Sequence, residues 1–140
     1  MIKNLLVVFF LLIMSSKILS ANTQYFQEGL SLYQNKKFGE AKFKFEQDIV
    51  FNPKNEMSYL YLSKIFKNLK KRDLEEENLK TVILINPTNE EAIYNLAKLK
   101  LDNSDYKKSE QLNDKLLIIC NKFCDQSKKL KKEIDNLLKK

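Results

Sequence analysis

Pro53 and Pro87 are the only prolines of the chain, each follows an asparagine, and they stand 34 residues apart. Proline removes a backbone donor and pushes the residue before it out of helical geometry, so each Asn-Pro pair ends any helix that runs into it. The segment before Pro53, "GEAKFKFEQDIVF", carries Ala41, Phe45, Ile49 and Val50 at the spacing of one buried helical stripe. Upstream, "NTQYFQEGLSLYQNKKF" does the same with Tyr25, Phe26, Leu30, Leu32 and Tyr33. The plan then recurs as "MSYLYLSKIFKNL", a polar break "KKRD", and "LEEENLKTVILI" before Asn86-Pro87. Two glycines and two prolines in 140 residues leave little turn chemistry for a multi-stranded sheet. The expected fold is all-α, built from a repeated helical hairpin.

Helix-start signals agree with the period. Asp73, with Glu76 three residues on, predicts a capping box at the head of the second helix of the second hairpin. Glu75 and Glu77 there meet the positive end of the helix dipole. Thr88 with Glu91 predicts the same device for the following helix.

A helix–turn–helix period of 34 residues resembles the tetratricopeptide repeat, whose pattern runs W-x2-L-G-x2-Y, A-x3-F, P. In the first block Tyr25 stands for the Trp and Leu32 for the Tyr, and Gly29, Ala41, Phe45 and Pro53 hold their places. The second block supplies Tyr59, Leu62, Ser63, Phe66, Leu79 and Pro87, but puts Glu75 where the pattern has a small residue. A Glu there implies a wider helix crossing or a shifted register. The third keeps Leu96, Ala97 and Tyr106, with Ser109 for the small residue and Asn113 and Asn121 at the later positions. The resemblance implies a short right-handed α-solenoid of three hairpins, 22–55, 56–89 and 90–123. Residues 124–140 follow as a basic capping helix, with Phe123, Leu130, Ile134, Leu137 and Leu138 on one face.

Proteins of this family bind peptide or protein segments on a concave face lined by the first helix of each pair. Carried onto this sequence, the resemblance implies a groove of Phe26, Leu30, Tyr33 and Gln34 from the first hairpin. The second gives Leu60, Lys64, Lys67 and Asn68, and the third Tyr94, Lys98, Leu101 and Asp102. Such a groove would receive a partner with aliphatic anchors and acidic residues, steered by the lysines. The plainer alternative makes the aromatics and leucines core and the lysines solvated surface.

The N-terminus reads as an export signal: a basic start "MIKN", a ten-residue apolar run "LLVVFFLLIM" and a polar exit "SSKILSA". Residues 1–21 are expected to be a cleaved signal or, with Leu19 two residues before the cut after Ala21, an uncleaved membrane anchor. A periplasmic or secreted location follows from either. Without them the net charge falls from +7 to +5, because Lys3 and Lys17 leave with no acid. Much of the remainder lies in Lys128, Lys129, Lys131, Lys132, Lys139 and Lys140, which read as solvated surface or as attraction to an anionic membrane. Elsewhere the signs nearly balance, which argues against a nucleic-acid partner.

Cys120 and Cys124 leave three readings open: a structural disulfide, two small buried residues, or redox or metal chemistry. Four residues apart with no histidine in the chain, they argue against a zinc site and do not meet the C-x-x-C spacing. The absence of histidine also excludes Ser-His and Cys-His nucleophiles, and scarce glycine excludes the usual phosphate loop. The expectation is a non-enzyme without cofactor: an exported adaptor or assembly factor. The alternatives are a membrane-tethered structural subunit of an envelope complex and a small redox protein.

Overall fold

The computed structural model describes residues 23–139; the expected export segment lies outside the described residues. Among those described there are seven α-helices and no strand. They are α1 (Gln24–Gln34), α2 (Phe38–Phe51), α3 (Glu56–Asn68), α4 (Arg72–Ile85), α5 (Glu90–Asp102), α6 (Tyr106–Ile119) and α7 (Cys124–Leu138). Each packs on its neighbours in chain order, giving a short right-handed solenoid of the hairpins α1–α2, α3–α4 and α5–α6, closed by α7.

The repeat is written most regularly in the backbone. Lys36, Lys70 and Ser104 adopt left-handed φ values of 60°, 56° and 62°. They occupy the same turn in each hairpin. After each of them the next N–H reaches back to a helix carbonyl, Lys37 to Leu32, Lys71 to Phe66 and Asp105 to Lys100, each at 2.9 Å. This is the helix-closing turn in which glycine is usual, made here without one. Both Asn-Pro pairs end their helices as expected, at Phe51 and Ile85.

Hairpin one closes on Gly29: a Cβ there would lie 2.9 Å from the Phe45 ring, so glycine is what lets the helices approach. Phe26, Ala41, Phe45, Leu62, Ile65 and Phe66 form the first core cluster. Leu60, Leu79, Val82, Ala92, Leu96 and Leu99 form the second, and Ala97, Leu101, Leu130 and Ile134 the third, beneath α7. Buried polar groups stitch these layers. Asp48 accepts from the Thr23 and Ser58 hydroxyls and from Asn55 Nδ2 at 2.7 Å, joining the starts of α1 and α3 to α2. Asn113 donates to the Ser127 carbonyl at 3.1 Å and accepts from its hydroxyl at 2.8 Å, so the polar residue of the third block binds the capping helix.

Two expected caps are displaced. Helix α4 begins at Arg72, so Asp73 lies inside its first turn and makes no cap; Glu76 meets Lys100 at 2.8 Å instead. Helix α5 is capped by Asn89, which accepts from Ala92 N–H at 2.9 Å, in place of Thr88. The acids Glu76 and Glu91 are used between hairpins, in charge-assisted bonds to Lys100 and Lys64.

Candidate peptide-binding groove

The first helices of the hairpins, α1, α3 and α5, present the expected groove residues at three depths. Phe26, Leu60 and Leu101 are core: they are 5%, 2% and 5% exposed. Phe26 packs on Phe45 with ring centroids 5.8 Å apart, and Leu101 lies under the capping helix. The corrected groove excludes these three, because the i, i+3/i+4 stripe that fills the core borders the stripe that faces a ligand. Leu30, Tyr33 and Tyr94 are half-buried, and Gln34, Lys67, Asn68 and Asp102 are exposed.

What remains is a continuous aromatic and charged run. Tyr33 stands edge-on to Tyr61 at 5.0 Å, and Lys64 lies 4.9 Å over the Tyr61 ring. Lys64 then reaches Glu91 of α5 at 2.8 Å. Tyr94 packs against Phe123 at 5.5 Å, and Lys98 sits 3.8 Å from Glu133 of α7. Tyr61, Glu91 and Glu133 were not among the sequence candidates. The signal for Tyr61 was its place three residues before Lys64, one helical turn away. Two of the three groove lysines are therefore paired within the chain, and Lys67 has no ion pair among the described residues.

Lys67 also lines a cleft of about 340 Å³ at the end of this face, with Lys70, Arg72, Glu75, Leu99 and Asp102. Glu75, the misfit of the second block, is 5% exposed there, directed between α4 and the end of α5. Burial pushes its carboxyl above the ordinary glutamate range; Lys67 pulls it back, Asp102 pushes it further up, and Arg72 pulls it down. Arg72 itself is held by Asn103 Oδ1 at 2.6 Å.

Cys120 and Cys124 are bonded to each other, with Cα atoms 5.2 Å apart, across the break between α6 and α7. Glu90 accepts the N–H groups of Asn121, Lys122 and Phe123 at 2.9, 2.8 and 2.8 Å and so fixes that loop to the start of α5. These bonds, that to Phe123 foremost, hold the Glu90 carboxyl below its ordinary range. No group of His, Cys, Asp and Glu among the described residues is arranged to hold a metal ion, and none of their helices is long and apolar enough to cross a membrane.

No protein-family model matches the sequence, and no curated protein matches it. Solved structures match its shape. The first tetratricopeptide domain of Spaghetti (RPAP3), bound to the HSP90 peptide SRMEEVD, aligns over 83% of this chain and 91% of its own, at 15% identity and a TM-score of 0.73. The Yersinia enterocolitica type III secretion chaperone SycD, in complex with a peptide of the translocator YopD, aligns over 91% and 98% at 18% identity and a TM-score of 0.73. The Arabidopsis OM64 tetratricopeptide domain aligns over 81% and 97% at 20% identity and a TM-score of 0.69. These likenesses, with the 34-residue period and three equivalent turns, identify the fold: the chain has the fold of a tetratricopeptide-repeat solenoid, with three hairpins and a capping helix.

Proposed function

We propose that the chain is a non-catalytic protein-interaction module that binds an extended or helical segment of a partner protein along α1, α3 and α5. The observation that carries this is the half-exposed run Tyr33–Tyr61–Lys64–Glu91, which crosses all three first helices. Rings held rigid by the core, Tyr61 by stacking on Phe45 at 5.1 Å, present apolar edges at low entropic cost, so Leu30, Tyr33 and the edge of Tyr61 would take the aliphatic residues of the partner. Partner carboxylates would meet Lys67 directly. At Lys64 and Lys98 they would exchange with Glu91 and Glu133, which gives selectivity for acidic segments more than affinity. The peptide-bound structures of similar fold support this reading by analogy of shape.

In the cell, residues 1–21 would direct export, and the module would act as an adaptor or assembly factor outside the cytoplasm. Retention of that segment would make it the tethered subunit of an envelope complex, and the Leu19 that weakens the cleavage pattern favours keeping this second reading. N-terminal sequencing of the mature chain separates the two.

The test of the groove is a crosslinking pull-down with the native chain and a Lys64→Glu/Lys67→Glu/Lys98→Glu variant, whose helicity is checked by circular dichroism. Loss of the partner from the folded variant is the expected result. Equal capture by both would remove the lysines from the binding face.

A further inference from the structure

Three aliphatic side chains lie in the open at the same position of each repeat. Val50, Leu84 and Ile118 are 75%, 82% and 85% exposed. Each is the penultimate residue of the second helix of its hairpin, α2, α4 or α6. Phe51 extends the row at 68% exposed and stacks on Tyr25 in the first turn of α1, with ring centroids 5.3 Å apart. A single exposed leucine is ordinary, but the same exposure repeated in register along a solenoid is an organised apolar edge.

The acids one turn before Val50 and Ile118, Glu46 and Asp114, pair with Lys42 at 2.8 Å and Lys131 at 3.2 Å. No acid occurs in 49–55, 82–89 or 115–124, whereas Lys54, Lys115 and Lys122 do. The acids that begin the adjoining first helices are engaged internally. Glu56 accepts from Asn86 at 3.0 Å, Glu91 pairs with Lys64, and Glu90 holds the backbone of residues 121–123. Asp125, in the first turn of α7, is exposed near this edge and makes no ion pair among the described residues. Lys54 and Lys115 make no ion pair among those residues, and Lys122 lies in the field of Glu90. Aliphatics flanked by solvated lysines, with the acids withdrawn, match the anionic interface of a bilayer: apolar side chains enter the acyl boundary and lysines stay among the headgroups. The first turn of α1 also lies here, since Tyr25 stacks on Phe51, and the apolar run 5–14 precedes it in the sequence.

We infer that this edge docks on an anionic lipid surface through Val50, Phe51, Leu84 and Ile118, leaving the groove of the first helices open to a partner. The sequence has no tryptophan, so Leu84→Trp and Ile118→Trp in the full chain are single reporters, with Lys107→Trp in the exposed first turn of α6 as the reference. Each is mixed with phosphatidylglycerol–phosphatidylcholine vesicles carrying brominated acyl chains. Positions 84 and 118 should shift to the blue and be quenched, position 107 should not, and vesicles of phosphatidylcholine alone should have little effect. Lys54→Gln/Lys122→Gln should raise the lipid concentration for half-maximal quenching by about five-fold per lysine. Unquenched emission at 84 and 118 with anionic vesicles would overturn the proposal, as would equal quenching at 107. A dimer that shifts both reporters without lipid would assign the edge to a second copy instead.

Discussion

Gly29 sets a helix crossing, whereas Glu75, despite its charge, leaves the 34-residue register of the turns unchanged. Gly29 keeps α1 against the Phe45 ring, and Gly29→Ala would put a methyl group within 2.9 Å of it. Phe45 is wholly buried and cannot swing away, so Gly29→Ala is expected to cost about 1–3 kcal/mol in urea unfolding. Glu75 stands where the first hairpin has Ala41 and lines the cleft beside Leu99 and Asp102 with its carboxylate shielded from water. Its raised affinity for a proton means that the ionised form penalises the fold above that pKa and that the penalty is relieved as pH falls through it. Glu75→Gln should therefore stabilise the protein at neutral pH, with the gain shrinking as the native residue protonates under mild acid. A gain unchanged with pH would show that packing, not ionisation, is responsible. Glu75 was visible in the sequence as a departure from the repeat. Its cleft was not, because Leu99 and Asp102 come from the next hairpin.

At the scale of the helix, the sequence reported stops better than starts. Proline acts on the residue next to it, so the ends at Phe51 and Ile85 could be read directly. Caps depend on which of several adjacent polar residues the tertiary structure claims, and Glu76 and Glu91 were claimed by lysines on other helices. The left-handed turns at Lys36, Lys70 and Ser104 were hidden for another reason: without glycine they leave no compositional trace. Each holds a β-carbon in an unfavourable conformation. Replacing all three by glycine should add about 1 kcal/mol per site, nearly additively because the turns lie in separate hairpins. Thermal and urea unfolding of the single and triple variants would measure it. Loss of stability instead would mean that the Lys36 and Lys70 stems contribute packing that the turn geometry does not reveal.

For the molecule as a whole, periodicity sufficed for the architecture because a solenoid stacks one local unit against the next. The groove needed more. Periodicity put Leu30, Tyr33, Lys64, Lys67 and Lys98 on the first helices, yet it could not separate them from Phe26, Leu60 and Leu101, which the neighbouring hairpin or the capping helix buries. Nor could it supply the partners of the lysines, since Glu91 and Glu133 reach them across hairpins. A partner polypeptide lying on the face of α1, α3 and α5 is the central claim. The measurement that tests it most directly places a photo-crosslinking residue in turn at Gln34, Lys67 and Asn68, which are exposed on that face, and at Lys80 and Gln111, exposed on α4 and α6. Crosslinking in the native cells, followed by sequencing of the adducts, should give one partner protein from the first set and none of it from the second. The same partner captured only from Lys80 and Gln111 would contradict the account and move binding to the second helices.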